Sequence, residues 1–218
     1  MSNIYTVIID GVRSPIGIKS GQMLGMRSDD LCTKTIKALL KRNPSINIKN
    51  IEDIILGCAF PEGPQGMLMA KGVGILSGLP ETTTGKVVNR FCGSSMDSLH
   101  QLSQAIDCGD IQCGIACGVE DMFGVPMGGF SPSFHPELYE KDYYIGMGET
   151  AENLAQELNI SRNDQEEFAR LVNREVYELL MLRLYPKNYG WDEENRWEAI
   201  EPNLQTYKGT KSIFQQLS

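Results

Sequence analysis

Short apolar runs alternate with amphipathic stretches between residues 5 and 119, and this alternation constrains the fold more than any other feature. Within each apolar run, polar residues do not occupy every second position. Such uninterrupted runs are typical of strands that are buried on both faces of a parallel sheet. The stretches between them have apolar residues at helical spacing, and Ser28 is the expected N-cap of the first. The sequence therefore predicts a layered α/β sheet, with strands at 5–9, 54–58, 86–89 and 114–119 and helices at 29–42, 67–76 and 94–106.

The character of the chain changes after Val119. Residues 122–144 are rich in Gly, Pro, Ser and aromatic residues and show no period, which predicts an excursion from the core. Two helices are predicted after it, at 150–158 and 162–184, and Ser161 with Asp164 resembles a capping box. The tail at 187–218 is polar and fits neither pattern. We therefore predict two domains, an α/β domain at 1–121 and a second domain at 122–218.

Charge and hydropathy exclude several classes of function. The formal net charge is -8, and no basic cluster extends beyond Lys41 and Arg42, so the chain lacks the positive surface that nucleic acid requires. It has no apolar stretch of about 18 residues and no pattern of a signal peptide at its N-terminus. We therefore expect a soluble cytoplasmic protein without a membrane or nucleic-acid partner.

The six cysteines are expected to be free thiols, because no secretory signal accompanies them. Cys108, Cys113 and Cys117 are close in sequence, but they lie among Gly and Ala at spacings wider than those of closed zinc sites. The chain has only two histidines. We therefore expect no metal site and interpret these three cysteines as small core residues.

Cys92 lies between the end of a predicted strand and the start of a predicted helix. The first N–H groups of a helix are unpaired and its dipole is positive there, so this position favours a thiolate nucleophile. Gly93 lets a substrate approach closely, and the N–H of Cys92 is a candidate donor to an oxyanion. The alternative is that Cys92 is a buried small apolar residue, because free cysteine is among the most buried residue types.

The segment around Cys92 resembles the nucleophilic cysteine motif of thiolases, the enzymes that make or cleave 3-ketoacyl-CoA. Residues 88–95 read Val-Asn-Arg-Phe-Cys-Gly-Ser-Ser. Four further segments are similar to thiolase segments and follow in the family's order: 12–17, 118–127, 147–153 and 161–168. The last two are similar to the start of the family's CoA-facing loop domain. Ordered matches of this kind are more specific than any single motif.

This resemblance implies an acyltransferase in which Cys92 attacks an acyl-CoA thioester, or a ketoacyl-CoA, and holds the acyl group covalently in a ping-pong reaction. Met147 matches a family position that lines the pantetheine and acyl channel. The substrates would be acyl-CoA and coenzyme A, with no further cofactor. The family's dimer pairs a sheet edge that corresponds to residues 87–89, which implies a homo-oligomer. Glu120 would support the active-site region structurally.

Two catalytic motifs of the family are absent from this sequence. The Gly-His-Pro histidine that activates the nucleophile and the Cys-x-Gly cysteine that exchanges a proton both belong to the family's C-terminal domain. The histidines present are His100, eight residues after Cys92 on the same predicted helix, and His135 in the excursion. Neither is expected to be the base. We therefore expect a thiolase-like domain with an inserted loop domain that stops before the C-terminal domain.

Three hypotheses of function remain open, and the first two differ in how they explain the absent catalytic motifs. The first is a thiolase-type acyltransferase whose C-terminal half is supplied by a separate chain or a homologous partner. The second is a catalytically inactive remnant that acts at most as a binding or interaction module. The third, a ketosynthase, shares the fold, but its cysteine typically follows an Asp-Thr-Ala type segment, whereas Asn89, Arg90 and Phe91 precede Cys92 here.

Overall fold

Three parallel strands form the sheet of the first part of the chain. The computed structural model describes residues 6–17, 21 and 23–181. The strands lie in the order β2-β1-β3, and Asp53 at the start of β1 is in register with Thr84 and Gly114. The helices and strands are α1 (Ser28–Arg42), β1 (Asp53–Gly57), α2 (Met69–Leu76), β2 (Thr84–Val88), α3 (Ser94–Asp107), β3 (Gly114–Gly118), α4 (Pro136–Tyr139), α5 (Met147–Glu157) and α6 (Arg162–Met181).

The central strand β1 is covered on both faces, as the sequence predicts. Ile54, Ile55 and Leu56 are all fully buried, so successive side chains enter two different helix layers. On one face, a methyl group on Gly74 of α2 would lie 3.0 Å from Ile54 Cδ1. On the other face, a methyl group on Gly57 would collide with the backbone at the start of α3. These contacts confirm the layered α/β prediction.

The predicted strand at 5–9 is wrong for the residues that the structure describes. Residues 6–9 form no strand, and Tyr5 lies outside the described part of the chain. This segment and residues of β3 line the same cavity, which has a volume of about 620 Å³. The apolar composition predicted a buried strand, but Val7, Ile8 and Ile9 are exposed. Strand formation also needs a neighbouring backbone within hydrogen-bonding distance.

Helix starts differ from prediction where tertiary contacts compete with local signals. α1 begins at Ser28 itself rather than after it, and Ser28 is buried with its hydroxyl oxygen 3.4 Å from Gln65 Oε1. Met67 and Leu68 have positive φ values, so α2 begins at Met69 instead of residue 67.

The chain divides into two compact units between Pro132 and Ser133. In the second unit, α5 begins at Met147 because the Glu149 carboxylate accepts a hydrogen bond from the N–H of Gly146 at 3.0 Å. The Ser161–Asp164 capping box is confirmed by two reciprocal side chain to backbone hydrogen bonds. The predicted tail at 187–218 and the end of the helix predicted to residue 184 lie outside the described residues. None of the described helices is long and apolar enough to span a bilayer.

Candidate active site

Cys92 lies in a tight turn that joins β2 to α3. β2 ends at Val88 and α3 begins at Ser94, so Cys92 is two residues ahead of the helix, as the sequence predicts. The turn is closed by backbone hydrogen bonds from Gly93 N–H to Arg90 O and from Ser94 N–H to Phe91 O, both 3.0 Å long. Cys92 is exposed. The structure therefore contradicts the alternative that Cys92 is a buried core residue.

The residue before Cys92 has a left-handed backbone conformation. Phe91 has φ 45°, which is uncommon for a bulky residue and persists only where surrounding groups hold it. The Ser94 hydroxyl accepts from Arg90 N–H at 2.8 Å and donates to Phe91 O at 2.6 Å. Asn89 Oδ1 accepts from Phe91 N–H at 2.9 Å. These side chains hold the turn that presents Cys92.

The surroundings of Cys92 favour negative charge. In the first turn of α3, the N–H groups of Ser95 and Met96 have no acceptor among the described residues, as is usual at a helix N-terminus. Arg90 forms an ion pair with Asp97 at 3.2 Å, and its guanidinium is largely exposed. A thiolate or a developing oxyanion at this turn therefore lies close to helix N–H donors, while the charge of Arg90 is paired with Asp97.

A polar network with the buried Gln65 at its centre lies beside the turn. Glu120 lies two residues after the end of β3. Its carboxylate accepts hydrogen bonds from Ala59 N–H at 2.6 Å and Phe60 N–H at 3.3 Å. Gln65 is fully buried and donates from Nε2 to Glu120 Oε1 at 2.9 Å and to Phe60 O at 2.8 Å. Loss of a bond to the fully buried Gln65 amide is costly, because that amide would have no water to bind, whereas Glu120, Ala59 and Phe60 are only partly buried.

The network reaches the Cys92 turn through two contacts. Asn89 Nδ2 donates to Ala59 O at 2.8 Å, and the rings of Phe60 and Phe91 lie 6.0 Å apart. Sequence reasoning missed Gln65, which lies in a predicted loop, and assigned Asn89 no role beyond the motif. The sequence signal for Gln65 was only that it is a glutamine in a loop, and this does not indicate a buried role. Its hydrogen-bond partners are evident only from the tertiary fold.

Cys58 is not a competing nucleophile. Burial and the nearby Glu120 carboxylate raise the pKa of the Cys58 thiol to about 12. Its Sγ lies 3.8 Å from Glu120 Oε1. At neutral pH this thiol is protonated, and it is buried in the core.

The three cysteines that are close in sequence separate in the structure. The pKa of Cys117 is raised because its thiol hydrogen-bonds with Cys32 and is buried, and burial with the nearby Glu52 raises the pKa of Cys113. Both residues are partly buried, whereas Cys108 is exposed at the C-terminal end of α3. The prediction of small core residues therefore fails for Cys108, because a helix C-cap lies at the surface.

Neither histidine belongs to the Cys92 turn. His100 lies further along α3, and His135 lies in the second unit. His100 is exposed on α3, and its Nε2 lies 3.2 Å from Gln104 Nε2. Among the described residues, no hydrogen bond joins it to Cys92. His135 precedes α4 in the second unit, and its N–H donates to the Tyr144 hydroxyl at 3.2 Å. Met147, the expected channel residue, is the first residue of α5 and is exposed.

Similarity to known proteins covers both the turn and the start of the second unit. Residues 6–174 match the model of the family described as Thiolase, N-terminal domain. The 3-ketoacyl-CoA thiolase of Bacillus subtilis (strain 168) is 42% identical over 166 residues, which are 75% of this chain and 42% of that protein. The beta-ketoadipyl-CoA thiolase of Escherichia coli is 39% identical over 180 residues, 74% of this chain and 45% of that protein.

A third relative agrees with these two. The 3-ketoacyl-CoA thiolase of Photobacterium profundum is 40% identical over 172 residues, 78% of this chain and 44% of that protein. This chain spans less than half the length of these curated relatives. The family match includes the turn with Cys92, the polar network beside it and the start of α5. The family match extends over most of the chain, and the parallel α/β sheet agrees with it. The chain therefore belongs to the thiolase family and corresponds to the family's N-terminal domain.

Proposed function

We propose that this chain provides the nucleophile of a thiolase-type acyltransferase that forms or cleaves 3-ketoacyl-CoA through an acyl-cysteine at Cys92. The observation that carries the proposal is the exposed Cys92 on a strained turn at the N-terminus of α3, inside the segment that matches the family. The relatives' names, which include 3-ketoacyl-CoA thiolase and beta-ketoadipyl-CoA thiolase, support the substrate class.

The reaction has two half-reactions that share the Cys92 sulfur. In the first, the thiolate attacks the carbonyl carbon of an acyl-CoA, a carbon–sulfur bond to Cys92 forms, and the bond to the CoA sulfur breaks. The CoA thiolate leaves and takes a proton. In the second half-reaction of synthesis, another acyl-CoA loses a proton from its α-carbon, this carbon attacks the acyl-cysteine carbonyl, and the bond to Cys92 breaks as the carbon–carbon bond forms. In degradation the Cys92 thiolate instead attacks the 3-keto carbon of a ketoacyl-CoA, the bond from that carbon to the α-carbon breaks, and the α-carbon takes a proton. The thiol of coenzyme A then takes the acyl group, loses its proton, and releases Cys92.

The described residues supply the nucleophile and its electrostatic setting, but not the proton-transfer groups. No histidine or carboxylate among them forms a hydrogen bond with Cys92, and the two histidines have other surroundings. A base is needed to activate the thiol, and an acid and base are needed at the substrate α-carbon. We therefore propose that proton-transfer groups outside the described residues, in a complementary C-terminal half, complete the active site.

The remaining parts of the proposal concern binding and assembly. Met147 is proposed to contact the pantetheine or acyl chain, and coenzyme A thioesters are proposed as substrates without a further cofactor. A homo-oligomer and a cytoplasmic location are proposed with them. Met147 is exposed, so it is accessible to a ligand, and its flanking Gly146 and Gly148 leave space around it.

Acylation of Cys92 is the direct test. The purified chain is incubated with acetyl-CoA, and intact mass followed by peptide mapping locates any acetyl adduct. We expect one adduct, on Cys92, that is absent from Cys92→Ala and retained in Cys108→Ala, which removes the exposed thiol at the other end of α3. An adduct on Cys108, or none with an intact fold, would contradict the assignment of Cys92 as the nucleophile.

A further inference from the structure

The hydroxyl of Ser94 joins two backbone groups of the turn that contains Cys92. Ser94 is the first residue of α3 and is only 3% exposed. Its Oγ accepts a hydrogen bond from Arg90 N–H at 2.8 Å and donates one to Phe91 O at 2.6 Å. A serine hydroxyl has a single proton to donate, and here that proton is bound to the carbonyl group directly before Cys92.

This carbonyl group fixes the direction of the Cys92 N–H. Phe91 O also accepts the backbone N–H of Ser94 at 3.0 Å, so Ser94 binds the carbonyl twice. Phe91 O and the Cys92 N–H belong to one planar trans peptide group, in which the C=O and N–H bonds point in opposite directions. The Cys92 N–H is therefore directed away from Ser94.

The N–H groups on either side of Cys92 are occupied, but its own is not. Phe91 N–H donates to Asn89 Oδ1 at 2.9 Å, and Gly93 N–H donates to Arg90 O at 3.0 Å. Among the residues that the structure describes, the Cys92 N–H has no acceptor, and Cys92 is exposed. The turn thus leaves one N–H for a ligand, and it belongs to the residue that carries the nucleophilic sulfur.

The backbone of Phe91 needs support to keep this orientation. Its φ of 45° is unfavourable for a bulky residue and persists only where other groups hold it. A return of Phe91 to negative φ would rotate its carbonyl group, and the Cys92 N–H would rotate with it. The two hydrogen bonds of the Ser94 hydroxyl, one on each side of the Phe91 α-carbon, oppose this rotation.

We infer that Ser94 is a positioning residue for acyl transfer, because its hydroxyl directs the Cys92 N–H toward the oxygen of an acyl group that bonds to Cys92 Sγ. This inference rests on the proposed function, in which Cys92 is the nucleophile. When the thiolate attacks a carbonyl carbon, the carbonyl oxygen becomes an oxyanion, and an N–H that already points at it stabilises the transition state. Ser94 touches no substrate in this role and acts through the Cys92 peptide group.

Two reactions of the same sulfur separate this role from thiolate formation. In acylation by p-nitrophenyl acetate, Cys92 Sγ bonds to the acetyl carbon and the bond from that carbon to the phenolate oxygen breaks. The p-nitrophenolate leaves with the electron pair, and the thiol proton passes to the buffer. In alkylation by iodoacetamide, Sγ displaces iodide from a saturated carbon, and no oxyanion forms. Both reactions need the thiolate, but only acylation needs the N–H donor.

The test measures both rates on the full chain, with peptide mapping so that only adducts of Cys92 are counted. Complete loss of one oxyanion donor typically costs about 10²–10³-fold, and Ser94→Ala misdirects the donor without removing it. We therefore expect Ser94→Ala to slow acetylation about tenfold or more and alkylation by less than about threefold. The pH at which alkylation reaches half its maximal rate is expected to stay the same, whereas a disrupted start of α3 would shift it.

Ser98→Ala is the matched control on the same helix. Ser98 is fully buried one turn after Ser94, and its hydroxyl also donates to the carbonyl three residues earlier, Ser95 O, at 2.6 Å. The same hydroxyl lies 3.1 Å from Cys117 O, so its partners belong to α3 and β3 rather than to the turn. We expect Ser98→Ala to change the ratio of the two rates by less than about threefold.

Thermal denaturation checks that both variants are folded. If Ser94→Ala is not, Phe91→Gly is added to it, because glycine adopts the left-handed conformation without steric cost. This double variant is compared with Phe91→Gly alone. Glycine leaves the carbonyl more freedom, so the hydroxyl still fixes its direction, and the same selective loss of acetylation is expected.

Three results would overturn the inference. Equal effects of Ser94→Ala on the two rates, including no effect, would show that the hydroxyl supports only the fold or the thiolate. A selective loss of acetylation of the same size in Ser98→Ala would show that the effect does not come from the turn. Wild-type Cys92 that is alkylated but not acetylated by p-nitrophenyl acetate would show that its N–H is not placed for an oxyanion. Failure of acetyl-CoA alone to acylate Cys92 contradicts only the proposed function, because p-nitrophenyl acetate needs no site for coenzyme A.

Discussion

Cys92 and Cys108 are exposed thiols that flank α3 at its opposite ends, which makes each the control for the other. The N-terminal end of a helix favours negative charge and the C-terminal end opposes it. We expect Cys92 to be alkylated first by limiting iodoacetamide at neutral pH, measured by peptide mapping. Faster labelling of Cys108, or of the buried Cys32 or Cys58, would contradict the assignment of Cys92.

Glu120 is expected to matter through hydrogen bonds rather than through proton transfer. Glu120→Gln replaces one acceptor oxygen by a donor group that would face Ala59 N–H, Phe60 N–H or Gln65 Nε2. We expect the free energy of unfolding to fall by about 1–3 kcal/mol, and alkylation of Cys92 to slow as the turn loosens. Chemical denaturation measures the first effect. Glu157→Gln, on the exposed face of α5, is the control and is expected to have no effect.

At the scale of elements, the position of the Cys92 turn depends on how closely α3 approaches β1. A side chain at Gly57 would meet the backbone of Ser94 and Ser95, which cannot move without shifting the start of α3. We expect Gly57→Ala to destabilise the fold by about 1–3 kcal/mol in urea denaturation.

A second glycine provides the control for this substitution. Gly72 lies within α2 and has open space around it, so Gly72→Ala is expected to be neutral or stabilising by up to about 1 kcal/mol. Equal stability of the Gly57→Ala and wild-type proteins would show that α3 does not pack on β1 as described.

At the scale of the whole molecule, we expect the chain to self-associate through the outer edge of β2. Val88 O accepts from Cys58 N–H and Thr84 N–H donates to Glu52 O, so Val87 presents its N–H on the opposite side. Light scattering at micromolar concentration measures the association. Val87→Pro removes this outward donor while keeping the bonds to β1, and it is expected to favour the monomer. A monomeric, folded wild-type chain would contradict the prediction.

The isolated chain is also expected to turn over no substrate, or far less than a complete thiolase. Each positioned proton-transfer group typically contributes about 10²–10⁴-fold, and the site lacks such groups among the described residues. A thiolysis assay following acetoacetyl-CoA loss, with Cys92→Ala as the blank, measures this. An ordinary rate of about 10 s⁻¹ that is abolished by His100→Ala would show that His100 is the base.

The sequence by itself determined the elements whose signals are local. The three strands, α3 and the junction that contains Cys92 follow from apolar runs and helical spacing, because these patterns report burial within a few residues. The Ser161–Asp164 box was predictable for the same reason, since its donors and acceptors are three residues apart.

Only the tertiary structure decided features that depend on distant partners. Residues 6–9 are apolar enough for a strand, but no strand among the described residues pairs with them, and they line a cavity of about 620 Å³ together with residues of β3. Ser28 is a good N-cap by residue type, yet it is buried close to Gln65, 37 positions away in sequence. The turn at Phe91 is held locally by Asn89 and Ser94, but Asn89 is itself bound to Ala59 O, 30 positions away in sequence. Hydrogen bonds between residues remote in sequence leave no periodic pattern, which is why local reasoning could not find them.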